Sequence, residues 1–323
     1  MTAMDPMGRD ALALPGARIL ADGLRFPEGP VVLPDGRVAL VEIAAGRVIA
    51  IAPDGGRTVL AAPGGGPNGL ALGPDGALYC CNNGGFEWIE ADGILRPHGQ
   101  PADYSGGRLE RIDAATGAVM QLYDECDGRR LRGPNDLVLD GEGGVWFTDF
   151  GKSRARDRDH GTVYWAALDG SRIIEAAHPF PGGANGIGLS PDGRMLYVAE
   201  TETGRLWAFD ILGPGKLRKD PWPSPHGGRL LCQMPGFRRL DSLAVTATGN
   251  VCVATLVSGE VVTVSPDGEI LDVVRCDERM PTNICFGGPG QRTAYITLSS
   301  TGRLLVMPWE EPGLALPAAH RPR

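Results

Sequence analysis

The chain has 323 residues, 42% of them hydrophobic, and a formal net charge of −8, which sets the expectation of one large domain or two medium ones around a substantial core. The acidic balance disfavours a non-specific nucleic-acid binder, which needs a basic face, and no apolar run approaches the roughly 20 residues that span a bilayer. The seven cysteines form no Cys-x-x-Cys pair and residues 1–15 carry no apolar signal core, so the chain reads as cytoplasmic and without disulfides.

The 48 glycines and 27 prolines follow no collagen-like period and predict many tight turns between short strands. Residues 1–16 read as a disordered leader. A short strand within residues 17–23 is expected to pair with the last repeat and close a ring. Repeat one opens at Phe26-Pro27-Glu28-Gly29-Pro30, with strands at 31–33, 38–42, 48–52 and 58–61. Repeat two opens at Pro67-Asn68-Gly69, with strands at 70–72 and 78–81, an insertion at 82–106, and strands at 108–112 and 119–123. Repeat three opens at Pro134-Asn135-Asp136, with strands at 137–139, 145–149, 162–166 and 173–176. Between its second and third strands runs a basic cluster, residues 152–158, read as a solvated loop.

Repeat four opens at Ala184-Asn185-Gly186, with strands at 187–189, 195–199 and 206–211, a Pro-rich excursion at 214–228, and an outer strand at 229–234. Repeat five opens at Leu240-Asp241-Ser242 and repeat six at Thr282-Asn283. Residues 310–323 read as a Pro-rich surface tail. Six units of four strands, with no amphipathic helix linking them, predict an all-β, six-bladed β-propeller over residues 17–309, four antiparallel strands per blade. A β-sandwich or solenoid is the alternative.

One polar position recurs in register: Glu28, Asn68, Asn135, Asn185, Asp241 and Asn283, each just ahead of a first strand. First strands line a propeller's channel, so these side chains are expected to crowd one mouth. Asn-Gly and Asp-Ser are also ordinary turn pairs, but six in register argue against turns alone. Carboxylates this close repel unless a cation neutralises them. An all-oxygen set with a charge of about −2 suits a hard divalent ion, Ca²⁺ first, with Mg²⁺, Mn²⁺, Zn²⁺ or Fe²⁺ as alternatives.

The motifs above, with Trp146-Phe147-Thr148-Asp149, Ser190-Pro191-Asp192-Gly193, Phe286-Gly287-Gly288 and Ala294-Tyr295-Ile296-Thr297, resemble the senescence-marker-protein/gluconolactonase/luciferin-regenerating-enzyme family over residues 25–308. The resemblance implies a six-bladed propeller with one catalytic divalent metal, and lactone hydrolysis. It implies Glu28, Asn185 and Asp241 as metal ligands, with Asn135 as a fourth ligand or as a holder of water and substrate. One departure is Gly133, where sugar-lactone members often carry an arginine, which leaves recognition of a polyhydroxylated sugar unsupported.

The expected chemistry is metal-assisted ester hydrolysis, in which the ion polarises the lactone carbonyl and Asp241 orients or deprotonates the attacking water. Asn135 shares the catalytic assignment. Asp136 and Asp149 follow the third motif as supporting groups or turn residues. Specificity is expected from Asn83, Phe86 and Trp88 in the insertion of repeat two and from His160 after the basic cluster. The expected partner is a small-molecule lactone, with no nucleic acid or membrane, for a monomer or small homo-oligomer. Alternatives are an organophosphate or other ester hydrolase on the same metal, or a non-catalytic binding propeller with structural Ca²⁺.

Overall fold

The computed structural model describes residues 9–315, almost entirely in short antiparallel strands. Four-stranded sheets repeat around the chain. Blade one is Pro27–Val32, Val38–Glu42, Arg47–Ile51 and Arg57–Ala61, hydrogen-bonded in that order from inside to outside. Blades two, three, four and five start at Pro67–Leu72, Pro134–Leu139, Ala184–Leu189 and Arg239–Val245. Blade six takes only Pro281–Gly287, Thr293–Leu298 and Arg303–Pro308 from the C-terminal end, and Arg18–Ala21 supplies its outermost strand by antiparallel pairing. The ring is therefore closed by the N-terminal strand, as the sequence predicts. The six innermost strands neighbour one another in cyclic order around the channel.

The middle strands do not alternate. Every residue of Val38–Glu42 and of Val251–Leu256 is buried, because each sheet has a blade packed on both faces and so needs apolar side chains on both. One apolar cluster fills each seam between neighbouring blades. The outer strand Arg57–Ala61 shows the opposite character, exposed along most of its length. Hairpins between first and second strands repeat one device. Asp35, Asp75 and Asp192 each accept from the backbone N–H two residues on, at 3.0–3.2 Å. The intervening glycines Gly36, Gly76 and Gly193 have φ of +69° to +86°, a conformation that a β-carbon disfavours.

Three expectations need correction. The described part of the leader, from Arg9, carries regular structure: Arg9–Asp10 pairs in parallel with Ile270–Arg275, and the Asp10 carboxylate caps the short helix Ala11–Ala13. Ala11 is fully buried against blades five and six, and that burial anchors the segment. Residues 1–8 lie outside the described residues. The tail is not merely superficial either. Leu314 N–H donates to Val245 O at 2.9 Å and Gly313 bridges Thr246, which binds residues 313–314 to the rim of blade five; residues 316–323 lie outside the described residues. Finally, Lys152 is fully buried, 1% exposed, whereas residues 153–157 are exposed as expected.

Candidate functional site

In all six blades the pairing of first and second strands slips where the recurrent polar position lies. The shifts fall between Glu28 and Val31, Pro67 and Leu70, Pro134 and Leu137, Ala184 and Ile187, Leu240 and Leu243, and Pro281 and Asn283. Such bulges break the two-residue alternation and re-aim a side chain. They release the polar residue from the blade seam while the strand beyond stays apolar.

The glycine that follows the polar residue lets the next blade come close. A β-carbon on Gly29 would lie 2.5 Å from Asn68 O, one on Gly69 2.5 Å from Asn135 O, and one on Gly186 2.6 Å from Asp241 O. Thr148 Oγ1 donates to Asn185 O at 2.6 Å, and Asn283 Nδ2 donates to Glu28 Oε2 at 2.7 Å. Residues scattered over the chain are thus brought together around one end of the channel by close backbone approach and by side-chain hydrogen bonds.

Glu28, Asn185, Asp241 and Asp136 are all buried there. Burial raises the Glu28 carboxyl, against the help of Asn283 and the Gly29 N–H. Asp241 is raised well above the usual range, first by burial and then by the charge of Glu28, with Asn185 in hydrogen-bond reach. Asp136 is pushed up to about 8 by burial and by Glu28. Asp136 therefore belongs to the same electrostatic group, which its place next to Asn135 hinted at.

Two amide oxygens complete the picture. Asn135 Oδ1 and Asn185 Oδ1 are buried and have no hydrogen-bond partner. Asn185 Nδ2 donates to Thr201 Oγ1 at 3.0 Å, which orients that amide and leaves its oxygen free. A buried acceptor without a donor is costly unless something absent from the protein itself fills the need. Orphaned amide oxygens beside carboxylates that resist ionisation fit a hard cation. Among the described residues no three His, Cys, Asp or Glu side chains form a metal-holding group, so an ion here would depend on the amides.

A second recurrent position escaped sequence reasoning. Fourteen or fifteen residues after the ring residue stands a buried polar group, Glu42, Asn82, Asp149 or Glu200, closing each second strand. Each accepts from a backbone N–H just ahead of the ring residue: Arg25 to Glu42 at 2.8 Å, Gly66 to Asn82 at 2.9 Å, Gly133 to Asp149 at 2.7 Å and Gly182 to Glu200 at 2.8 Å. These caps hold the turn that leads into each bulge. Asp149 is fully engaged in this way, also taking Arg132 N and Gly151 N, so its role is structural. The nearly constant offset in blades one to four was the available signal.

The loops after second strands rise from the same face. Asn83 is 1% exposed, and its Oδ1 accepts from Gly85 N at 2.9 Å and Lys152 Nζ at 3.1 Å. Lys152 Nζ also donates to Gly85 O at 2.6 Å and sits 4.1 Å over the Phe86 ring. Phe86 packs on Trp88, and Trp88 on Phe26. Lys152 thus pins the loop of blade three to that of blade two, and this wealth of partners lets it be buried. Desolvation lowers its ammonium to about 7. His160 is exposed, its ring centre 6.3 Å from that of His178.

The fold and this mouth define a six-bladed propeller with an oxygen-lined site at one end of its channel. The family model described as the SMP-30/Gluconolactonase/LRE-like region matches residues 26–300, and the chain belongs to that family. It is 30% identical over 245 residues to diisopropyl-fluorophosphatase of Loligo vulgaris, covering 67% of this chain and 73% of that one. It is 26% identical over 252 residues to a gluconolactonase of Zymomonas mobilis, spanning 72% of this chain and only 60% of the relative. The solved structure of regucalcin from Agrobacterium tumefaciens, described as a calcium-binding protein, superposes with a TM-score of 0.73, 18% identity, and 94% and 97% of the two chains. That last likeness concerns the fold.

Proposed function

We propose that this protein is a divalent-metal-dependent hydrolase that opens lactones, with Glu28, Asn135, Asn185 and Asp241 holding the ion. The observation that carries this reading is the pair of orphaned amide oxygens, Asn135 Oδ1 and Asn185 Oδ1, beside two buried carboxylates. The gluconolactonase and lactonase relatives support the choice of substrate. When bound, a divalent ion would supply Lewis-acid polarisation of the ester carbonyl; Ca²⁺ suits the oxygen set.

The chain's own residues have defined tasks. Asn283 and the Gly29 N–H hold Glu28 in place, and Thr201 turns the Asn185 amide. Asp241 orients the attacking water and takes its proton as the water oxygen bonds to the carbonyl carbon. The ring C–O bond then breaks, and the proton passes to the leaving alkoxide to give the hydroxy acid. Besides its place among the residues proposed to hold the ion, Asn135 is suited to position the substrate or the water.

Elemental analysis of purified protein followed by a lactone panel with and without chelator tests this. Stoichiometric metal and chelator-sensitive ring opening are expected; metal-independent turnover would remove the proposal. Metal-saturated Asp241→Asn with near-normal turnover would eliminate Asp241 as base. The identity to diisopropyl-fluorophosphatase favours a second reading, hydrolysis of organophosphates at the same site, which an assay on a fluorophosphate separates from the first.

A further inference from the structure

We propose that Arg158 and Arg239 form a subsite for an anionic substituent of the substrate, so that the preferred lactone carries a carboxylate or sulfonate. This rests on the lactone hydrolysis proposed above. Arg158 lies in the loop after the second strand of blade three, and Arg239 opens the innermost strand of blade five two residues before Asp241. Both therefore stand on the face that carries the ring of oxygens. Arg158 Nη2 would be 2.8 Å from a β-carbon on Gly183, two residues ahead of Asn185. Arg239 is close enough for its charge to act on the Asp241 carboxyl. The two arginines flank the Asn185–Asp241 side of the mouth.

The two guanidinium groups share one direct carboxylate partner. Arg158 Nη1 is 3.8 Å from Glu202 Oε1, and Arg239 Nη2 bonds to that same oxygen. One carboxylate thus serves two guanidinium groups in a molecule of net charge −8. Arg158 Nη2 and Arg239 Nε are buried donors without partners, a cost that an incoming acceptor would relieve. The Arg158 guanidinium is held over the Phe150 ring at 5.2 Å, so its planar fork is set in advance. Such forks match carboxylates and sulfonates in a way that a neutral hydroxyl does not.

The test uses the calcium-loaded enzyme and two matched lactones, γ-butyrolactone and the same ring bearing a carboxylate on its γ-carbon. The wild type should favour the carboxylated ring in kcat/KM by about tenfold or more. Arg158→Gln and Arg239→Gln should each lower that ratio about tenfold, whereas a purely structural role would lower both rates and leave the ratio alone. Glu202→Gln should raise the ratio several-fold, a gain that misfolding does not produce. Calorimetry with tetrahydrofuran-2-carboxylate, which cannot be hydrolysed, should show binding that either arginine substitution weakens. If the neutral lactone is opened and the ratio neither favours the anion nor moves in the variants, the subsite is overturned and hydrolysis stands. If neither lactone is opened but the ring carboxylate binds through the arginines, hydrolysis falls and the subsite stands. Neither opening nor binding overturns both.

Discussion

Asn283 and Glu28 are 255 positions apart in the chain, yet Asn283 Nδ2 donates to Glu28 Oε2 at 2.7 Å across the seam between the last blade and the first. The same contact closes the ring and supplies a donor to a buried carboxylate. Asn283→Leu should therefore destabilise the protein by about 1–3 kcal/mol, the usual cost of an abandoned buried acceptor. It should also weaken cation binding by roughly tenfold or more, because Glu28, a proposed ligand, loses its support. Thermal unfolding with chelator and calorimetric Ca²⁺ titration would read the two effects separately. Wild-type values in both would remove the supporting role of Asn283.

Stability should depend on pH and cation together. Glu28, Asp136 and Asp241 all have raised folded-state values, so the folded state holds protons that the unfolded chain has released. In chelator their contribution is complete below about pH 4 and is lost as pH climbs, ending near 8 for Asp136. The chelated protein should thus melt lower at pH 8 than at pH 5. Saturating Ca²⁺ should flatten that slope, adding about 2.7 kcal/mol at a hundred times Kd. A chelated protein that melts higher at pH 8 than at pH 5 would contradict the shared electrostatic group.

Gly186→Ala tests the close packing of blades four and five. Its β-carbon would meet Asp241 O at 2.6 Å, a contact with backbone that has no flexible escape. A loss of about 1–3 kcal/mol is expected, with weaker metal binding because Asp241 must shift. Wild-type Tm and wild-type Ca²⁺ affinity would show that the two strands are not held this tightly.

Lys152 gives a prediction of opposite sign to the acids. Its folded-state value, about 7, lies below that of a free lysine, near 10.4. Wild-type stability from this group is therefore lowest below pH 7 and rises as pH climbs from about 7 towards 10. Lys152→Met leaves Asn83 Oδ1 and Gly85 O short of a donor and lacks that titration. The stability difference should move in favour of the wild type across this window, as urea unfolding at pH 6, 8 and 9.5 would measure. A difference that stays constant with pH would mean the ammonium remains charged in the folded loop.

Much of this arrangement was legible in the order of residues. Short apolar runs bounded by Pro-Asp-Gly, and a polar residue recurring just ahead of each first strand, are local signals, because turn chemistry and strand period act within a few residues. They led to the six blades, to the N-terminal closing strand and to the ring from Glu28 to Asn283. The caps Glu42, Asn82, Asp149 and Glu200 carry a nearly regular offset, but a polar residue at a strand end looks like a solvated one until its backbone partners are seen.

What only the tertiary structure decided is what each polar group meets. Lys152 sits among charged loop residues in sequence, and only the approach of Asn83, Gly85 and Phe86 from the neighbouring blade makes its burial tolerable. Asn135 and Asn185 are ordinary turn residues in any short window; their oxygens become conspicuous because the folded ring leaves them enclosed without donors. Arg158, Glu202 and Arg239 lie on three different blades, and the sharing of Glu202 by two guanidinium groups exists only where those blades meet. Local pattern determines the elements, while desolvation and partnership depend on contacts between distant parts of the chain, and the chemistry of the mouth follows from those contacts.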